Sequence, residues 1–363
     1  MRKKVLFIGH EYHRKTKSSD FMQNIIARDF DLEFFTLDPY KGSIDDQLSP
    51  LKNKKYDIVV LWQMMPSLNK LKEYIKFKYC SFFPMYDGAP SRDNPIWYEY
   101  RDVNIINFSK TLHEELKELG FSSFYFQFFP KPLKITNEGN EKSVFFWQRT
   151  NDITIDTVSK LIDMNKINHI HMHHAIDPNH TFIEPSEKIK KKMTTSTWFD
   201  TREEMQKQMQ KSAIYIAPRA YEGIGMSFLE AMAMGRVVIA PNNPTMNEYI
   251  TDSVNGLLYE LHEPKPVDIS DIRGMQQRTI DYIEKGFAKW ETEKWNILKV
   301  IDSSASFNPK KLKQKYAGNT EEKETCFYLF NVLPLISIVK KDKKQIYKIF
   351  RLLPIYVIKR HNI

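Results

Sequence analysis

Ala217-Pro-Arg-Ala-Tyr-Glu-Gly-Ile-Gly-Met-Ser-Phe-Leu-Glu-Ala-Met-Ala-Met-Gly-Arg-Val-Val-Ile-Ala-Pro241 is the stretch on which the reading of this chain turns. It runs from the end of an apolar strand through a glycine-interrupted loop into a short helix, stops at Gly235 and resumes as a strand. Gly223 and Gly225 let the backbone approach a ligand closely or take a positive φ. The helix that follows, with Ile224 and Met226 at its entry, offers unpaired N–H groups in its first turn, a seat suited to a diphosphate. Glu222 precedes that helix, whereas Glu230 lies a little over one turn inside it, so each carboxylate addresses a different part of one ligand. A carboxylate accepts two hydrogen bonds from a vicinal diol, which suits a ribose or a hexose.

Outward from this stretch, short apolar runs alternate with helix-length segments. In the first third they fall at Val5 to Ile8, Leu32 to Leu37, Ile58 to Trp62, Ser81 to Tyr86, Val103 to Phe108 and Phe124 to Phe129. Runs of this kind predict parallel strands covered on both faces, and hence a doubly wound α/β domain. The polar segment from Lys134 to Lys142 breaks the rhythm as a linker. A second series then follows, with strands at Ser143 to Trp147, His169 to His173, Ile214 to Ala217 and Arg236 to Ala240. Its helices are expected near 155–164, 201–210 and 226–234, with one long amphipathic helix over 272–301. The fold class is therefore α/β, with two Rossmann-like domains over 1–133 and 134–318 facing a cleft, and a tail over 319–363.

Composition fits this picture: 42% apolar, 13% aromatic and 27% charged residues build sizeable cores and exclude a disordered chain. Cys80 and Cys326 stand far apart, which gives no disulfide framework and favours a reducing, cytoplasmic compartment. The apolar run after Met1-Arg-Lys-Lys ends at Gly9 and reads as a first strand, not a signal peptide.

The net charge is +9, and most of it sits at the end of the chain. There Lys340, Lys341, Lys343, Lys344, Lys348, Arg351, Lys359 and Arg360 face only Asp342. The same tail holds a repeat, in which Leu329-Phe-Asn-Val-Leu-Pro aligns with Ile349-Phe-Arg-Leu-Leu-Pro at a 20-residue offset. Apolar wedges followed by basic residues predict a peripheral anchor on an anionic membrane surface. A nucleic-acid partner is not expected, because the apolar residues come in Leu-Pro wedges and not as isolated stacking platforms.

Glu222-Gly-Ile-Gly-Met-Ser-Phe-Leu-Glu-Ala-Met-Ala resembles the signature of the retaining, nucleotide-sugar-dependent glycosyltransferases of the GT-B fold, the type that builds bacterial cell-surface polysaccharide and lipopolysaccharide. Asn247-Glu-Tyr-Ile and Asn255-Gly-Leu-Leu resemble the usual continuation, so the likeness is close over about 217–259. The resemblance implies transfer of a sugar from a nucleotide-diphospho-sugar to a hydroxyl of a glycan or lipid-linked acceptor, with no metal and no further cofactor. It puts Glu222 on the transferred sugar, Glu230 on the nucleotide ribose and the backbone of Gly223, Ile224, Gly225 and Met226 near the phosphates. Such enzymes also carry an arginine after the first strand of the second domain, here Arg149, and a lysine five positions on, where this chain has Thr154. Arg219 is the candidate to take over the lysine's work.

In the first domain, the loop after the first strand offers Lys15, Ser18 and Ser19 for the phosphates and His10 for the acceptor. Asp87, at another strand end, is a further candidate for an acceptor hydroxyl. His169, His171 and His173 share one strand face, a superficial metal array with no carboxylate identifiable beside it. Two alternative functions stand beside this: a sugar-nucleotide epimerase or a silent nucleotide-sugar-binding subunit on the same fold, and a nucleic-acid-binding protein acting through the basic tail.

Overall fold

The computed structural model describes residues 2–309 except Pro39 and Thr136, together with the backbone of four strands between 324 and 355. Two six-stranded sheets, both wholly parallel, form the body. The first contains β1 (Lys4–Gly9), β2 (Asp31–Thr36), β3 (Lys55–Trp62), β4 (Lys76–Phe83), β5 (Asn104–Asn107) and β6 (Ser123–Tyr125) in the order β2-β1-β3-β4-β5-β6. The second contains β7 (Asn140–Trp147), β8 (His169–His173), β9 (Met193–Ser196), β10 (Ser212–Ile216), β11 (Val237–Pro241) and β12 (Leu257–Tyr259) in the order β12-β11-β10-β7-β8-β9. This is the doubly wound pattern expected from the apolar runs, in both domains.

Helices cover the faces of the sheets. In the first domain these are α1 (Glu11–Thr16), α2 (Asp20–Asp29), α3 (Ile44–Leu48), α4 (Leu68–Tyr74) and α5 (Lys110–Glu118). In the second they are α6 (Ile155–Leu161), α7 (Glu187–Lys190), α8 (Arg202–Met209) and α9 (Met226–Ala233). The strands bury both faces, as Val5 to Ile8, Ile58 to Trp62 and Ile214 to Ile216 show. That is why they read as unbroken apolar runs and not as alternations.

The expected single helix over 272–301 is two helices, α10 (Ile272–Glu293) and α11 (Asn296–Ile301), with a break at Lys294 and Trp295. The break turns the chain back onto the first domain, where α11 packs on α2, β4 and β5. Asn104 Nδ2 donates to Val300 O and Ser303 O at 2.8 Å each, and Asn308 N donates to Gly120 O at 2.8 Å. The expected second unit, 134–318, thus hands its final described stretch to the first domain. Trp290 at the end of α10 enters the same aromatic core, with its ring 5.2 Å from Phe128 and 6.4 Å from Phe108.

A second link between the domains is polar. Glu248, from the second domain, accepts from Ser109 Oγ (2.9 Å), Lys110 N (2.6 Å), Thr111 N (3.0 Å) and Thr111 Oγ1 (2.8 Å). Its carboxylate therefore caps the amino end of α5, where unpaired N–H groups and the helix dipole favour an anion.

Of the expected tail, the structure describes the backbone of β13 (Glu324–Leu329), β14 (Leu333–Lys341), β15 (Lys344–Ile349) and β16 (Leu353–Ile355), an antiparallel meander in chain order. The two copies of the 20-residue repeat are paired alike: Tyr328 pairs with Pro334 and Leu329 with Leu333, as Lys348 pairs with Pro354 and Ile349 with Leu353. The basic side chains named in the sequence lie outside the described residues. Among the described residues, no helix is long and apolar enough to cross a membrane.

The Glu248 cap gives a direct test of how the domains are held. Glu248→Ala is expected to lower stability by about 2 kcal/mol, since it removes a charged cap and leaves α5 donors unpaired. Glu248→Gln, which keeps an acceptor oxygen, is expected to lose less. The midpoint of urea unfolding measures both.

Candidate active site

The second sheet reverses its strand order between β7 and β10, which lie side by side with Phe145 opposite Tyr215 and Phe146 opposite Ile216. The loops that leave their carboxyl ends open a crevice at this switch point, the usual ligand position in an open α/β sheet. Arg149 follows β7, and Arg219 and Glu222 follow β10. The loop after β8 adds Asp177, and the loop after β4 of the first domain adds Asp87.

Four of these side chains form one hydrogen-bonded network, and Glu222 lies within electrostatic reach of it. Arg149 donates from Nε (3.1 Å) and Nη2 (2.9 Å) to Asp177 Oδ1. Arg219 donates from Nη2 to Asp177 Oδ2 at 2.6 Å and from Nη1 to Asp87 Oδ2 at 2.8 Å. Asp177 thus sits between the two guanidinium groups, one oxygen to each, and Arg219 bridges the domains. Arg149 also lies over the Trp147 ring, 4.8 Å from its centroid. Burial works against the Asp177 carboxylate, but Arg149 and Arg219 outweigh it and hold its pKa below the usual value.

Glu222 is 6% exposed, and its Oε1 has no hydrogen-bond partner. Burial first, and the neighbouring Asp87 second, push its pKa up to about 7, against the pull of Arg149 and Arg219. Burial likewise raises Asp87, opposed chiefly by Arg219. Arg219 Nε and Tyr215 Oη are the other buried polar atoms here without a partner. Tyr215, Arg149, Arg219 and Glu222 are close enough to perturb one another. Buried polar atoms left unpaired are costly, and a polar ligand is the natural source of their missing bonds.

The glycines have different jobs. Gly225 caps α9 with φ +79°, and a Cβ there would stand 1.8 Å from the Phe228 ring. Gly223 meets the other domain: a Cβ would fall 2.6 Å from Met85 Cβ and 2.9 Å from Asp87 Oδ1. The close approach expected of a ligand at Gly223 is therefore made by the loop after β4. Ile224 is buried and Met226, which opens α9, is partly exposed.

Glu230 lies farther along α9, nearly buried, and pairs with Arg202 Nη2. Burial raises its pKa and Arg202 opposes the rise. Arg202 opens α8 and is exposed on its outer side. Near it Trp198 is 66% exposed, and Lys15 of the first domain lies over its ring at 5.8 Å.

The remaining candidates divide. Lys15 faces the second domain through Trp198. Ser18 Oγ is hydrogen-bonded to His13 Nδ1 at 2.8 Å and accepts from Thr16 Oγ1 at 3.0 Å. Ser19 is fully buried at the start of α2, where its hydroxyl accepts from Gln23 Nε2 at 2.9 Å. The segment 11–16, read as a loop, is the helix α1. His10 caps it, accepting from Tyr12 N at 3.0 Å, and lies 3.4 Å from Asp38. Thr154 caps α6 in a reciprocal box with Thr157, so that position starts a helix and holds no cation.

His171 and His173 bond to Thr194 and Ser196 on β9, and His173 stacks on Phe199. Burial first, then neighbouring histidines, lowers both to about 4. They act as neutral cross-strand ties. Among the described residues, no group of three or more His, Cys, Asp or Glu could hold a metal ion.

Asp177 and Arg202 were missed in the sequence. For Asp177, its place after β8, at the carboxyl end of a strand, was a usable signal. Arg202 at a helix start gave none.

Residues 180–267, which carry Glu222 and Glu230, match the family described as Glycosyl transferases group 1. On this fold, that match supports a GT-B glycosyltransferase. Several solved structures share the architecture. Sucrose-phosphate synthase from Thermosynechococcus elongatus is 11% identical, over 82% of this chain and 98% of that one, with a TM-score of 0.58. A trehalose-6-phosphate synthase is 10% identical over 81% and 98%, with a TM-score of 0.54. The apo lipopolysaccharide outer core galactosyltransferase WaaB is 15% identical over 80% and 99%, at 0.50. At such identities the likeness speaks for the fold. No curated protein sequence matches the chain.

Glu222 leaves a signature in stability. Its pKa is raised from 4.5 unfolded to about 7 folded, so the folded state binds the extra proton between these values. Its contribution is fully present below about pH 4.5 and is lost as pH rises through about 7. Glu222→Gln is expected to flatten this part of the stability curve. Its gain over the parent is on the order of 3 kcal/mol above pH 7 and vanishes near pH 4, read from urea unfolding across pH.

Proposed function

We propose that this protein transfers a sugar from a nucleotide-diphospho-sugar to a hydroxyl of a glycan or lipid-linked acceptor, with retention of anomeric configuration and without a metal ion. One observation carries the reading. Glu222 lies beside Arg149 and Arg219 at the switch point of the second sheet, and Glu230 stands farther along the helix that begins there. Glu230 accepts from the ribose hydroxyls, taking them in place of Arg202. The two arginines and the first N–H groups of α9 meet the charge of the diphosphate. Glu222 reads a hydroxyl of the transferred sugar.

In this mechanism the bond from the anomeric carbon to the phosphate oxygen breaks with its electron pair going to phosphate. The acceptor oxygen forms the new bond on the same face, and its proton passes to the departing phosphate oxygen. Arg149, Arg219 and the start of α9 stabilise the charge that develops there. No protein nucleophile is required. The tail over 319–363 would hold the enzyme at the cytoplasmic face of an anionic membrane, near a surface-glycan acceptor.

Screening nucleotide-sugars by thermal shift identifies the donor, and Glu230→Ala then tests the ribose contact. Loss of a charged hydrogen-bond acceptor should raise the donor KM at least about tenfold, with kcat changed much less. An unchanged KM refutes the assignment. Removing residues 319–363 should abolish cosedimentation with phosphatidylserine vesicles while thermal stabilisation by the donor persists; vesicle binding by the truncated chain refutes the membrane role.

A further inference from the structure

One carboxylate lies on the side edges of both arginines at the switch point. Asp177 Oδ1 accepts from Arg149 Nε at 3.1 Å and Nη2 at 2.9 Å, which takes up the whole edge that arginine uses to hold a phosphate or carboxylate in two bonds. Its other oxygen, Oδ2, accepts from Arg219 Nη2 at 2.6 Å. In a planar guanidinium Nε and Nη2 share one edge, so the Arg219 Nε that is buried without a partner stands beside this bond. The bond to Asp87 leaves from Nη1, off that edge. The two edges thus present four nitrogens, and the two oxygens of Asp177 satisfy three of them. The backbone of Asp177 is pinned separately: its N donates to Arg149 O at 2.8 Å and its O accepts from His180 N at 3.2 Å. Rotation of one side chain therefore clears both edges without moving the loop.

We propose that Asp177 is an internal stand-in for a phosphate: a phosphate group of the donor takes the place of its carboxylate between Arg149 and Arg219, and the Asp177 side chain turns away. This deepens the nucleotide-sugar reading above and rests on it for the identity of the phosphate. A phosphate group brings a third oxygen and more negative charge than a carboxylate, so it can meet the unpaired Arg219 Nε as well as the three nitrogens that Asp177 holds. The exchange replaces one anion with another, and the two guanidinium groups stay compensated on either side of it. A ligand without a phosphate leaves Asp177 in place, so the seat admits anions alone. The contacts that Asp177 gives up weaken the binding of every phosphate that enters.

Calorimetry with inorganic pyrophosphate on the full chain and on Asp177→Asn tests the exchange, with thermal unfolding to confirm that each variant is folded. The substitution keeps the shape of the side chain and removes its charge, so Asp177→Asn should bind pyrophosphate about fivefold to tenfold more tightly. With Arg149→Gln and Arg219→Gln together in the background, the same change should bring no gain. Equal or weaker binding by a folded Asp177→Asn overturns the proposal, because Asp177 would then position the arginines and not occupy their seat. A second measurement needs no change at Asp177: the Nε–H resonance of Arg219 in the parent, assigned by its loss in Arg219→Lys, should move downfield when pyrophosphate is added. A resonance that stays in place overturns the seat. Thermal shift with a panel of nucleotide-sugars separates this from the reading on which it rests. If a nucleotide-sugar stabilises the parent and Asp177→Asn gains nothing with pyrophosphate, the seat falls and the nucleotide-sugar reading stands. If Asp177→Asn shows the gain and no nucleotide-sugar stabilises either protein, the seat stands and that reading falls.

Discussion

At Gly223 the two domains approach each other more closely than any other residue would permit, because the space a Cβ would fill is taken by Met85 and Asp87. The loop before α9 and the loop after β4 therefore share one small volume. The polar chemistry of the cleft floor follows from this approach. Asp87 reaches Arg219, Glu222 is shut away from water, and the Tyr86 and Tyr221 rings meet at 6.0 Å. Two distant contacts keep the loops in register, the Glu248 cap on α5 and Trp290 in the first domain's aromatic core.

Charge balance then decides the protonation of the site. Asp87, Asp177 and Glu222 share Arg149 and Arg219, so one carboxylate is in excess. Both arginines direct their hydrogen bonds to the aspartates, and Glu222 is left with an unpartnered Oε1 in the most buried position. Burial and the neighbouring Asp87 therefore raise the Glu222 pKa to about 7, while burial raises Asp87 as well. In its protonated form Glu222 can donate a hydrogen bond as well as accept one.

Much of the architecture was legible because parallel strands buried on both faces are continuous apolar runs, and β8 was read at its observed bounds. The strands that escaped are the ones that lack this mark. Met193–Ser196 is a short, half-exposed edge strand of polar residues, and Leu257–Tyr259 is too short to show any period. The helix over 272–301 looked single because its apolar positions continue in step through Lys294 and Trp295, while the break there is set by packing on the first domain. At the site, Glu222 and Arg149 were named through the resemblance of the motif, and Arg219 through its place at a strand end. Asp177 and Arg202 matter through their partners, which only the folded chain brings near. The segment 11–16 was read as a loop because it is a helix with no buried residue, and such a segment carries no apolar pattern to announce it.

The switch point also accounts for the absence of a lysine at Thr154. That position is committed to the capping box of α6, so a cation there would have to leave the helix start unpaired. The strand order puts β10 directly beside β7, and an arginine at the end of β10 arrives next to Arg149 without using that loop. The substitution has a consequence beyond charge. A lysine from the start of α6 would belong to the same loop as Arg149 and would be tied to it alone. Arg219 belongs to the loop that carries Glu222 and Gly223, and its second hydrogen bond crosses to Asp87. Presenting Arg219, burying Glu222 and bringing the first domain into contact thereby fall to one loop, so that a change in any of them is felt by the other two.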